Sequence, residues 1–143
     1  DDPALVQPLI EVFRDHPSES VKNEIRELLS TLKVSAGESV LLDALKSDEN
    51  TAIQGDLLYF LWHSGFQPVD DLHTVAKIAI EGEFMTAFEA LTLIESIGGP
   101  VNESSLMDAL MVVRDWLSAN KEHPNREVVF SIFQALSVFE NQG

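Results

Sequence analysis

The sequence predicts an all-α fold in which about four antiparallel helix pairs stack as an α-α superhelix, or solenoid. Apolar residues recur at helical spacing along the chain, and no stretch shows the sustained apolar-polar alternation of a half-buried strand. A helix-pair pattern also repeats, with spacings of 33 to 42 residues. The chain has 143 residues, of which 45% are hydrophobic, so residues 1–143 are expected to form a single helical repeat domain.

The first half of the chain contains four predicted helices. Asp2 followed by Pro3 suits a cap and a first helical residue, whereas Pro8 removes an internal hydrogen bond and forces a kink or a later start. Ser18 is placed to cap the second helix, and Gly65 to stop the fourth, which is apolar around most of its circumference. The predicted ranges are 3–14, 18–33, 37–46 and 49–63.

The second half contains four more. Gly82 ends the fifth helix and the Gly-Gly-Pro run at 98–100 ends the sixth, since glycine accepts a left-handed closing residue and proline cannot continue a helix. Asn102 offers a weak cap for the seventh, and the Pro-Asn pair at 124–125 opens the eighth. The predicted ranges are 70–81, 83–98, 103–119 and 125–140.

The repeat is visible in the even-numbered helices. Each contains two apolar residues three positions apart, and successive copies are separated by 33, 33 and 42 residues. A further helix precedes each copy. One helical hairpin cannot bury both of its faces alone, so such a period indicates stacked pairs. The matched positions are Ile25 and Leu28, Leu58 and Leu61, Leu91 and Ile94, and Phe133 and Leu136.

Residues 45–65 resemble a HEAT repeat. That family has an Asp in the turn, a Val or Ile five residues later and a closing Gly, and Asp48, Ile53 and Gly65 match these positions. Gln54 stands where the family usually has Arg, so the family's stacked Asp–Arg ladder does not carry over to this position.

The resemblance is weaker elsewhere. Residues 15–32 are similar, with one extra turn residue and with Lys22 in the basic position, and the later pairs match only in apolar spacing. Armadillo-like packing fits equally well. An ankyrin reading is disfavoured, because Leu72-His73 lacks the preceding Thr-Pro of that family. The HEAT or armadillo resemblance implies a scaffold whose second helices line a concave face that binds a peptide or protein.

The charge narrows the class of partner. The chain has 9 Lys and Arg against 24 Asp and Glu, a formal net charge of −15, shared as −7 over residues 1–67 and −8 over residues 68–143. Nucleic-acid binding is not expected, because that affinity comes from cations that neutralise phosphates. No basic residue lies between Lys77 and Arg114, so this stretch is either a solvated acidic face or a surface that attracts a basic partner.

Catalytic, metal and cofactor sites are not expected. The chain has no cysteine, which excludes disulfides, thiolate zinc sites and a cysteine nucleophile. It has no glycine-rich phosphate loop, and no apolar stretch long enough to span a bilayer or to form a secretory signal. We therefore expect a soluble protein, with the cytoplasm favoured, that is not an enzyme and has no membrane partner. None of the four histidines has a partner at metal-binding spacing: His16, His63, His73 and His123.

The candidate binding residues occupy second-helix positions outside the repeat stripe. Trp62 is the best anchor, because Leu58 and Leu61 already fill the stripe of its helix. Lys22, Asn23, Arg26 and Ser137 share this placement. The candidate partner-binding residues are Gln54, Trp62, Met85, Glu89, Glu95 and Gln134.

These features predict a non-enzymatic module or scaffold that binds a peptide or protein, which is expected to be basic if the charge has a role. One alternative is an acidic inhibitor or immunity-like protein that masks a basic surface. The other is a small-molecule-binding or enzymatic domain with a deep polar pocket. Phe130, Phe133 and Phe139 leave apolar surface to cover near the end of the chain, so either the neighbouring helices alone cap the C-terminal helix, or the chain continues or self-associates there.

Overall fold

The computed structural model describes residues 2–33 and 35–141, and the regular elements of this part of the chain are all helical. The all-α prediction is confirmed. Two short 3₁₀ helices, Pro3–Leu5 and Asp48–Ile53, precede α-helices. The α-helices are α1 Val6–Asp15, α2 Glu19–Leu29, α3 Ala36–Leu45, α4 Gln54–His63, α5 Leu72–Glu81, α6 Phe84–Glu95, α7 Glu103–Ala119 and α8 Arg126–Glu140.

The chain forms two compact units, Asp1–Phe66 with α1 to α4 and Gln67–Gly143 with α5 to α8. In the first unit α1 packs against α2 and α3, and α3 packs against α4. In the second unit α5 packs against α6 and α7, and α8 packs against α6 and α7. The first helices of the two pairs in the second unit are therefore neighbours, and so are the second helices.

Each unit has an apolar core of its own. In the first unit Phe13 and Phe60 are buried and meet edge to face, with ring centroids 5.4 Å apart. In the second unit Leu93, Ile94 and Ile132 are fully buried. Most matched repeat positions face the interior of their unit, but Leu28 on α2 is 57% exposed, and Leu91 and Phe133 are only half-buried.

Gly65 and Asn102 close helix ends as their residue types suggest, whereas Gly82 after α5 is extended at φ −93° and not left-handed as expected. Beyond α4, the Gly65 amide donates to the Trp62 carbonyl at 3.1 Å and the Phe66 amide to the Leu61 carbonyl at 3.0 Å. Gly65 has φ +82°, so the turn uses the left-handed conformation that glycine tolerates best. Asn102 is a stronger cap than expected, since its side chain accepts from the Ser105 amide at 2.9 Å.

Three predicted helices are shorter than expected. The fourth was predicted from residue 49, but residues 48–53 are 3₁₀ and the α-helix begins at Gln54. The second ends at Leu29 rather than 33, and the sixth at Glu95 rather than 98. The cause is local: Thr51, Ser30 and Ser96 each donate a side-chain hydrogen bond to a carbonyl three residues earlier.

The first helix also begins late. Residues 3–5 form a 3₁₀ turn and α1 starts at Val6, as the later-start alternative for Pro8 predicts. Pro8 then lies in the first turn of α1, where a missing amide hydrogen breaks no hydrogen bond of the helix.

Candidate interaction surface

Buried polar side chains tie the helix pairs of the second unit together. The Ser105 hydroxyl, at the start of α7, accepts from the His73 amide at 3.2 Å at the start of α5. The Asn125 side chain, which is buried just before α8, donates to the Gly82 carbonyl between α5 and α6 at 3.3 Å. These bonds join one pair to the next, so they help to hold α6 and α8 side by side.

The outer side of α6 is apolar. Its inner side is formed by buried residues such as Ala87, Ala90 and Ile94. Phe84, Met85 and Phe88 point away from that core and are 51%, 60% and 44% exposed. Large apolar side chains are therefore presented to solvent over the first two turns of the helix.

Phe84 and Phe88 form a pair on this surface. They lie four residues apart on one helix face, and their rings stack with centroids 6.3 Å apart and an interplanar angle of 22°. Stacking places the two rings as one continuous apolar surface, which is the form that interface anchors commonly take.

The neighbouring helix α8 also has an exposed aromatic side chain in its first half. Phe130 is 47% exposed, and it lines an open groove of about 630 Å³ with Arg126, Glu127 and Ser131. We call the exposed side chains Phe84, Met85, Phe88 and Phe130 the anchor face.

Acidic residues border the anchor face. Glu81 and Glu83 are exposed just before α6, and Glu127 is exposed in the first turn of α8. The nearest cation in the sequence is Arg126, whose guanidinium donates to the carbonyls of Leu117 and Asn120 and thereby caps the end of α7. A ligand on the anchor face would therefore meet apolar rings with carboxylates around them.

The predicted site residues in the second unit lie on α6 and α8. Met85 belongs to the anchor face, and Gln134 is exposed one turn beyond Phe130 on α8. Glu89 is half-buried on α6, and Glu95 is the exposed last residue of that helix.

The predicted site residues in the first unit have structural contacts. The Gln54 side chain donates to the Leu45 carbonyl at 3.4 Å, across the turn that precedes α4. Trp62 is half-buried and packs edge to face on Tyr59, with centroids 5.1 Å apart. Tyr59 also stacks on His63, with ring centroids 5.2 Å apart. The rings of Tyr59, Trp62 and His63 therefore pack against one another and do not form an aromatic cage.

The basic residues of α2 also lie in contact with the rest of the first unit. The Arg26 guanidinium lies 5.1 Å above the Phe13 ring and 3.8 Å from the Asp56 carboxylate. Burial raises the pKa of Asp56, and Arg26 offsets part of that rise. Lys22 is half-buried, and the exposed Asn23 accepts a hydrogen bond from Arg26. On α8, Ser137 donates to the Phe133 carbonyl at 2.8 Å.

The histidines serve local structure. In two inter-helix turns the same contact recurs: the amide of Ser18 donates to His16 Nδ1, and that of Asn125 to His123 Nδ1, at 3.0 Å each. His63 Nδ1 lies 2.7 Å from the Ser30 carbonyl, so this nitrogen carries the proton. Over residues 2–33 and 35–141, no group of three metal-binding side chains comes together.

Sequence reasoning did not select Phe84 and Phe88. Their spacing does not set them apart, because Phe84 and Phe88 lie three residues before Ala87 and Leu91, on the same helical stripe, and α6 is apolar around most of its circumference. A helix that is apolar on two faces either packs on both or exposes one. Here the second face is exposed within its unit.

No helix of the described part of the chain is both long and apolar enough to cross a membrane. Comparisons of the chain with protein-family models, with curated proteins and with solved structures found no match.

Proposed function

We propose that this chain is a non-enzymatic interaction module that binds a protein or peptide through the anchor face. The observation that carries the proposal is the stacked, half-exposed Phe84–Phe88 pair beside Met85. Scattered apolar residues are normal on protein surfaces, but several that lie together commonly mark a binding site.

We propose further that the helix pairs stack as in HEAT or armadillo proteins. The packing of α5 on α7 and of α6 on α8 supports this, because each repeat in such a stack contacts its neighbour helix by helix. In that arrangement the second helices α6 and α8 form the concave surface, and the anchor face lies on it.

The partner that fits this surface has apolar side chains next to Lys or Arg. Aromatic and methionine side chains on the anchor face accept an apolar stripe, and Met adapts to irregular shapes. Glu81, Glu83 and Glu127 at its border favour cations on the partner. A short basic amphipathic helix has both properties.

A second candidate is an acidic inhibitor that masks a basic surface on its target. The net charge of −15 and the base-free stretch between Lys77 and Arg114 favour it. Association would then depend mainly on charge, so affinity would fall steeply with salt and would change little when the rings are removed. Binding through the anchor face predicts the opposite: affinity would fall strongly when the rings are removed and would depend less on salt.

A display selection with the whole chain as bait tests the proposal. Random peptides are selected on the chain and on its Phe84→Ala/Phe88→Ala variant, and the two pools are sequenced. We expect peptides that combine Leu or Phe with Lys or Arg to be enriched on the natural chain and lost on the variant. Enrichment of Lys and Arg alone, equal on both baits, would favour the acidic inhibitor, and no enrichment would refute the module.

A further inference from the structure

We propose that a second copy of this chain docks on the face of α7 and α8 that α5 and α6 leave uncovered. This surface is separate from the anchor face. It is formed by Met107 and Met111 on α7, which are 49% and 50% exposed, and by the half-buried Phe133 on α8. We call these residues the pair face.

The pair face contains two shallow grooves. One of about 160 Å³ is lined by both methionines and Phe133, and it also contacts Arg114 and Glu140. The other, of about 370 Å³, is lined by Met107, Glu103 and Glu140, among others. Met107 and Glu140 belong to both grooves, so the two are continuous along α7.

The charges on this face are divided between its ends. Glu103 is the first residue of α7, and Glu140 is the last residue of α8. Arg114 lies beyond the methionines, about 16 Å along the helix from Glu103 at 1.5 Å per residue. Arg114 is 64% exposed and has an ion pair with the equally exposed Asp115 at 3.6 Å, which leaves its remaining donors in solvent.

This order of charges makes the surface complementary to itself. When two copies of α7 pack antiparallel about a two-fold axis, the methionines meet in the middle. Arg114 of each copy then faces Glu103 of the other. An unrelated partner would need an acidic residue opposite Arg114 and a basic residue opposite Glu103, whereas a second copy supplies both by symmetry. The occupant that the charge pattern favours is therefore the chain itself.

Sedimentation at several protein concentrations tests this proposal. The natural chain is expected to form a dimer whose population rises with concentration. Met111→Asp is expected to weaken the dimer about 30-fold or more, because it places a charge in the centre of the contact. Met85→Asp is the matched control, since Met85 is at least as exposed as Met111 but lies on the anchor face, and it is expected to leave the dimer unchanged.

Charge reversal tests the two-fold arrangement. Arg114→Glu and Glu103→Arg are each expected to weaken the homodimer on the order of tenfold, because each brings like charges together twice. An equimolar mixture of the two variants restores both attractive contacts, so it is expected to form heterodimers about as tightly as the natural chain. A natural chain that stays monomeric at its highest soluble concentration would overturn the proposal, and so would a mixture that does not dimerise. The anchor-face selection does not depend on either result.

Discussion

Asn50 holds the first unit together at the turn before α4. It is 2% exposed, and its side chain donates to the Ala44 carbonyl at 2.9 Å and accepts from the Arg14 guanidinium at 2.9 Å. Asn50→Ala removes both bonds, of which the one to the Ala44 carbonyl is buried.

The expected cost follows from these partners. The Ala44 carbonyl keeps a donor, the Ser47 amide at 3.1 Å, so losing the second costs about 1 kcal/mol. The bond from Arg14 involves a charged donor, and its loss adds to this cost. Arg14 retains Asp15 at 2.7 Å, which limits the penalty. We therefore expect the free energy of unfolding to fall by about 1 kcal/mol or more.

Urea unfolding followed by tryptophan fluorescence measures this loss. Trp62 lies in the first unit and Trp116 in the second, so a Trp116→Phe background reports on the first unit alone. At about 1–3 kcal/mol per molar urea, the midpoint is expected to fall by about 0.3–1 M. Asn23→Ala, an exposed asparagine on α2, is the control and should change stability by less than about 0.5 kcal/mol. A loss from Asn50→Ala no larger than that of the control would refute the reasoning.

Two further perturbations test local features of the first unit. Gly65→Ala is expected to cost about 1–2 kcal/mol in urea unfolding: φ is +82°, and no atom within 4 Å of the added Cβ supplies a clash or a new contact. Asp56→Asn is expected to raise the free energy of unfolding at neutral pH. Burial raises the folded-state pKa of Asp56, so the carboxylate costs stability above that pKa, and the cost disappears in acid as both states become protonated. The stability gain of Asp56→Asn should therefore be present in unfolding curves measured at pH 7 and absent in curves measured in acid. A gain that persists in acid would contradict the assigned cause.

The sequence predicts the all-α class well because helical periodicity and capping residues are local signals. Gly65 and Ser18 act at the positions where their chemistry places them. Helix ends such as Leu29 and the 3₁₀ segment Asp48–Ile53 were not predicted. They depend on side-chain hydrogen bonds, among them Asn50 to Ala44, that the apolar spacing does not reveal.

The candidate surface was predicted only in part. Met85 and Gln134 were selected from their place outside the repeat stripe, and both are exposed. The same rule selected Gln54 and Trp62, which have structural contacts within their unit. It passed over Phe84 and Phe88, because aromatic residues on a helix are usually core and only the three-dimensional packing shows which face is covered.

The central claim is that the anchor face binds the partner, and one comparison of affinities tests it most directly. A peptide from the selection is labelled, and its dissociation constant is measured by fluorescence anisotropy with the natural chain, with Phe84→Ala/Phe88→Ala and with Met107→Ala/Met111→Ala. The phenylalanines are 51% and 44% exposed, so covering the rest of each ring contributes about 1 kcal/mol, or about 30-fold in affinity for the pair. The methionine variant removes equally exposed side chains from the pair face and should bind within about twofold of the natural chain. Equal affinities for all three proteins, or a larger loss in the methionine variant, would contradict the account.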